Sequence, residues 1–135
     1  MCSISSLGDL AIHIIFTNIC YNHLSFIFIN NGKKNLPVYI FGGRTGVDMS
    51  ETAMNDMWKL QLSDGDGTPK AVWTEIKQVG DIPEARSFHK MITIGTSLYL
   101  FGGVGKDGRL NDLWKFDTTN DKWTSLGSSI LESPR

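Results

Sequence analysis

The sequence predicts an all-β fold made of two copies of one four-stranded antiparallel unit. One pattern is stated twice. Tyr39-Ile40-Phe41-Gly42-Gly43, a polar loop, Asn55-Asp56-Met57-Trp58-Lys59 and Trp73 return as Tyr99-Leu100-Phe101-Gly102-Gly103, a loop, Asn111-Asp112-Leu113-Trp114-Lys115 and Trp123. The spacing between copies shrinks from 60 residues at Gly42 and Gly102 to 56 at Trp58 and Trp114 and 50 at Trp73 and Trp123, so every length change falls in a loop. Ordered self-similarity of this kind is the signature of a repeat architecture. The second observation is a period of two, with Trp58, Leu60 and Leu62 on one side and Met57, Lys59 and Gln61 on the other, as in a strand with one apolar face.

Residues 1–22 carry no motif and are left unassigned. Leu10 to Ile29 is the most apolar window of the chain. No Lys or Arg precedes it, no small-residue cleavage site follows it, and His13, Thr17, Asn18, Asn22, His23 and Ser25 interrupt it. It therefore fits neither a signal peptide nor a spanning helix. His23 to Ile29 resembles His89 to Gly95 in composition and place, which predicts the first strand of the first repeat, followed by a turn at Asn31-Gly32.

Val38 to Phe41 is apolar without alternation, as in a strand buried on both faces, and Gly42-Gly43 is expected to end it. Arg44 to Met54 is a polar loop, closed by Asn55-Asp56, from which the amphipathic strand runs to Leu62. Asp64-Gly65 and Asp66-Gly67 mark the next turn, and Val72 to Lys77 is a last strand carrying Trp73. Gln78 to Ala85 crosses to the second repeat. There Lys90 to Ile94, Leu98 to Phe101, Leu113 to Phe116 and Lys122 to Leu126 follow in the same order. The repeats are bounded at 23–85 and 86–135.

Bulk properties narrow the function classes. Thirteen Lys and Arg against 14 Asp and Glu leave no excess charge to attract nucleic acid or an anionic membrane. Cys2 and Cys20 both lie outside the duplicated pattern, which fits a reducing, cytoplasmic compartment. Cys20, His13 and His23 lack the paired spacing of a metal site, and no cofactor is expected.

The double glycine, the Asn-Asp-x-Trp, the later Trp and the Pro-x-x-Arg or Pro-Arg that closes each unit resemble the kelch-repeat family over roughly residues 36–135. The unit length of about 50 residues is also that of a kelch repeat. The resemblance implies a partial kelch β-propeller of two four-stranded antiparallel blades, used as a protein-binding platform. A propeller takes about 4–8 blades. Two cannot close a ring, so the chain is expected to be part of a longer propeller or a truncated product.

Gly42, Gly43, Gly102 and Gly103 are followed by no GK[ST] and open no helix with GxGxxG, so they are structural rather than phosphate-binding. Trp58, Trp73, Trp114 and Trp123 recur at fixed places and are expected to pack between blades. Candidate partner-binding residues are Arg44, Thr45 and Asp48 in one loop, Lys106, Asp107 and Arg109 in its counterpart, and Arg86, Ser87 and Arg135 at the crossings. Arg86 and Arg135 carry two readings. The resemblance implies a ligand-facing position, whereas a buried arginine there would bond carbonyls or a carboxylate within the ring.

No nucleophile with an orienting acid accompanies His89, so no catalytic residue is assigned. The leading function is a non-enzymatic module that binds a protein or peptide. The alternative is a fragment of a kelch-like enzyme. Its copper form would need a Tyr/His/Cys cluster in the loops, and its iron form, in specifier proteins, a Glu-x-x-x-Asp-x-x-x-His. Glu51 to Asp56 has the wrong spacing for the latter.

Overall fold

A computed structural model describes residues 25–28, 37–45, 52–63, 67 and 70–128. The unassigned segment 1–22, together with Asp48 and Arg135, lies outside them. Nine strands follow one another: β1 (Ser25–Phe28), β2 (Pro37–Arg44), β3 (Ala53–Ser63), β4 (Lys70–Glu75), β5 (Val79–Gly80), β6 (Lys90–Ile94), β7 (Ser97–Gly105), β8 (Gly108–Asp117) and β9 (Lys122–Gly127). They form two sheets, β1-β2-β3-β4 and β5-β9-β8-β7-β6. Neighbours are antiparallel except β5, which runs parallel to β9. The all-β, two-sheet architecture is the one the duplicated pattern predicts.

The two sheets align residue for residue. Val38 stands opposite Leu60 and Ile40 opposite Trp58; Leu98 stands opposite Phe116 and Leu100 opposite Trp114. Because side chains alternate across a strand, each sheet has two faces of different membership. From the first sheet Tyr39, Phe41 and Met57 enter the core, and the second sheet meets them with Leu98, Leu100, Phe116 and Trp123. Trp123 packs edge-on against Phe41 at 5.0 Å between centroids and lies 4.9 Å from Phe116, while Tyr39 lies 6.3 Å from Phe116. Burial of these rings is the main attraction between the sheets. Ile76 and Met91 complete the core.

Three local expectations change. The double glycines do not end their strands: β2 continues to Arg44 and β7 to Gly105, with a register shift where each strand passes its first glycine. Gly42 and Gly102 have φ of +58° and +60°, so they act as bulge residues that bend the strand without stopping pairing. The extension of β7 also shortens the loop of the second repeat to a turn at Lys106-Asp107 between Gly105 and Gly108. The crossing segment, to which the sequence assigns no strand, contributes β5 as a fifth strand on the second sheet.

The tryptophans separate by position. Trp123 is 1% exposed and Trp73, its counterpart, 39%. β4 is the edge of its sheet with all six residues exposed, whereas β9 pairs with β5 at Lys122 and Trp123 and buries Trp123 alone of its six residues. Trp123→Ala should therefore cost ~3–5 kcal/mol, the usual range for emptying a buried aromatic site, and Trp73→Ala under about 2 kcal/mol. Urea melts of the two variants check this ordering, and equal losses would contradict it.

Candidate functional site

The candidate site grows from the segment that leaves β4 and enters β6. Ile76 N donates to Met57 O at 2.8 Å, and Gln78 then bridges the sheets. Its Nε2 donates to Asn55 O at 2.8 Å, while its Oε1 accepts from Trp123 Nε1 at 2.6 Å. Gly80, at φ +87°, lies so close to β9 that a Cβ would come within 2.5 Å of Trp123 O. Only glycine permits that approach.

Farther on, the chain is stitched to both sheets in turn. Arg86 N donates to Met54 O at 3.0 Å, and Gly43 N donates to Arg86 O at 2.9 Å. Ser87 then exchanges both backbone hydrogen bonds with Val104, at 3.0 and 2.7 Å. The double glycines make room for these contacts. A Cβ on Gly42 would meet Arg86 O at 2.8 Å and one on Gly103 would meet Ser87 O at 2.7 Å.

Arg86 is fully buried. Its Nη1 and Nη2 donate to Asp112 Oδ1 and Oδ2 at 2.6 and 2.7 Å, Nη1 also to Gly102 O at 2.9 Å, and Nε to Glu84 O at 3.0 Å. A planar fork on a carboxylate is the strong form of the contact, and Trp114 Nε1 adds a donor to Asp112 Oδ2 at 2.6 Å. Burial pushes the Asp112 carboxyl up, but the hydrogen bonds from Arg86 and Trp114 and the guanidinium charge outweigh it and hold the group below its ordinary value. This is the arrangement of an arginine bonded within the ring. The guanidinium is engaged by Asp112 and two carbonyls and is fully buried, as the reading of a structural arginine expects.

Ser87 and Arg44 are brought together: Arg44 Nε donates to Ser87 Oγ at 2.7 Å, and both residues are buried. Val104, paired with Ser87 on one side, stands opposite Arg109 on the other, so Arg44, Ser87 and Arg109 lie in one row across the end of both sheets. Lys106 and Asp107 form the exposed turn beside that row; Arg109 is exposed, as is Thr45 next to Arg44.

Two features were missed by sequence reasoning. Phe88, 42% exposed, follows Ser87 with φ +58°, a left-handed conformation that is rare for an aromatic residue. Residue order gives no sign of it. His89 is buried beside Phe41 at 5.7 Å, and burial, then the charges of Arg86 and Lys90, lower its pKa to about 4 against a backbone hydrogen bond with Phe41 that raises it. Among the described residues no three His, Cys, Asp or Glu side chains gather as a metal site, and no helix is long and apolar enough to cross a membrane.

Residues 17–135 match the KLHDC2/KLHL20/DRC7 Kelch-repeats domain. The chain belongs to the kelch-repeat family. Its sheets are kelch blades, and 76–89 is the crossing between them. Similar proteins include tip elongation aberrant protein 1 of Schizosaccharomyces pombe, 28% identical over 81% of this chain and 9% of its own length. Kelch repeat-containing protein 2 of Saccharomyces cerevisiae is 30% identical over 72% of the chain and 10% of its own length. The N-(sulfonatooxy)prop-2-enimidothioate sulfolyase of Thlaspi arvense is 29% identical over 66% and 24%. The chain thus spans a quarter or less of each of these relatives.

Two predictions follow from the crossing. Asp112→Ala strands a buried guanidinium and should cost ~3–5 kcal/mol, read from a denaturant melt; a loss below about 1 kcal/mol would contradict the account. His89 is held neutral in the fold, so its contribution is complete above pH 6.5 and is lost as pH falls from there toward 4, by about 3 kcal/mol at most. Melts at pH 7.5 and 4.5 should show this loss in the parent, and His89→Gln should diminish it.

Proposed function

We propose that the chain is a non-enzymatic binding unit of a longer kelch propeller and takes a protein or peptide at the end where strand 2–3 loops and blade crossings meet. The observation that carries this reading is the exposed group Thr45, Lys106, Asp107 and Arg109, drawn from both blades and fixed by the buried Arg44–Ser87 bond and the Ser87–Val104 bridge beneath it. Specificity is placed most readily on loops held by such a scaffold. Asp48 and Arg135, candidates from the sequence, lie outside the described residues.

Cations at Lys106 and Arg109 suit carboxylates of a peptide, which a guanidinium grips bidentately, while Asp107 in the same turn disfavours a polyanion. The sulfolyase relative offers an enzymatic reading, but the Glu-x-x-x-Asp-x-x-x-His expected of iron-dependent specifiers is absent from this sequence.

Panning a displayed peptide library against the chain tests the proposal. Selected peptides should be rich in Asp, Glu or a free C-terminus. Lys106→Glu with Arg109→Glu should weaken their binding by about tenfold or more, with the melting temperature unmoved because both residues are exposed. Binding indifferent to those changes would place the ligand face elsewhere.

A further inference from the structure

Among the described residues only Phe88 and Asp121 hold a positive φ without being glycine, at +58° and +54°. A short polar aspartate suits that conformation; a phenylalanine does not. Its neighbours keep Phe88 there. Ser87 is fully buried, exchanges both backbone hydrogen bonds with Val104 and accepts from Arg44 Nε. His89 is buried beside Phe41, and its backbone N lies so near Gly103 that a Cβ on that glycine would meet it at 3.0 Å. Between the Ser87–Val104 bridge and the start of the β6–β7 ladder at Lys90 and Phe101, the chain therefore bends at Phe88. Glycine or asparagine would make this bend with less strain. What phenylalanine adds is a large apolar ring, 42% exposed between two buried neighbours. Strain fixed from both sides in this way gathers where a side chain is presented for a function.

Ser87, Val104 and Arg109 stand side by side on adjacent strands. Neighbouring strands lie about 4.8 Å apart, so Phe88 leaves the sheet roughly 10 Å from Arg109. We propose that Phe88 is a specificity-determining residue, taking an apolar side chain of a peptide whose carboxylate lies on Lys106 and Arg109. The proposal rests on the peptide-binding reading above and narrows it. An extended peptide rises about 3.3 Å per residue, which puts its apolar side chain about three positions from its acidic one. An aromatic face also attracts cations. Here Lys90, Lys106 and Arg109 are all exposed on the segments that flank Phe88, against Asp107 in the turn and Glu84 beside Gly105. That balance favours an apolar group over a basic one.

The test measures binding of the full chain to an array of end-blocked Gly/Ser peptides of about ten residues. Each carries one Glu, with Phe, Leu, Ala or Lys placed at successive distances from it. The expected result is a preference of about tenfold for Phe or Leu over Ala or Lys, greatest about three positions from the Glu. Phe88→Asn and Phe88→Gly should remove the preference while the melting temperature holds or rises, since both relax the left-handed bend. Phe88→Tyr keeps the ring and should keep the preference. Binding that is lost with Lys106→Glu and Arg109→Glu but treats Phe, Ala and Lys peptides alike overturns the role of Phe88 and leaves the peptide-binding reading standing. Binding that ignores those two charge reversals, or no binding at about millimolar peptide, overturns both. A fall in melting temperature of more than about 5 °C in both Phe88→Asn and Phe88→Gly would make the ring a packing group and overturn the proposal as well.

Discussion

The two blades depend on one buried ion pair. Arg86 carries its charge into the junction with its backbone bonded to blade 1, through Met54 and Gly43, and its guanidinium bonded to blade 2, through Asp112 and Gly102. A buried charge is tolerable only when every donor finds a partner. Meeting that demand dictates much of the surrounding structure. The positive-φ glycines give the crossing its approach, Trp114 orients the carboxylate, and Gln78 closes the other margin on Trp123. The aromatic core supplies most of the attraction between the sheets, but it is non-directional. The ion pair supplies the register in which they meet.

The same junction explains why the polar row sits where it does. Ser87 follows Arg86, so fixing the arginine also fixes the bridge to Val104, and through it the place of Arg44 on one side and Arg109 on the other. Ser87 is itself fully buried, so what the junction fixes at the surface is the place of the exposed Arg109 and of Thr45 beside Arg44. His89 lies three residues from Arg86, and the guanidinium charge adds to burial in keeping its imidazole neutral. Electrostatics at the junction therefore reach both stability and the rim.

The fold was legible because repetition displays the pattern twice. Trp58 with Leu60 and Val38 through Phe41 announce their strands by period and by apolar continuity, and the structure places them as strands. The double glycines were misread as strand ends, since glycine punctuates turns and bulges alike and only the partner strand decides which. β5 was invisible because two residues, Val79 and Gly80, are too short to show any period. Trp73 looks the same in sequence as Trp123, yet Trp123 meets Phe41 of the other sheet while Trp73 is 39% exposed, a difference that lies in tertiary neighbours rather than in the repeat. At the site, the residue types and their loops were legible, but the direction of Arg86 was not. That depends on a carboxylate 26 residues away. The left-handed Phe88 leaves no trace in residue order at all.

Native-state hydrogen exchange tests most directly whether the crossing is the element that joins the blades. The account predicts that the amides of Gly43, Ile76, Arg86, Ser87 and Val104 open together, with protection comparable to the central strands β7 and β8. Fast exchange at Arg86 and Ser87, at rates typical of a surface loop while both sheets stay protected, would contradict it.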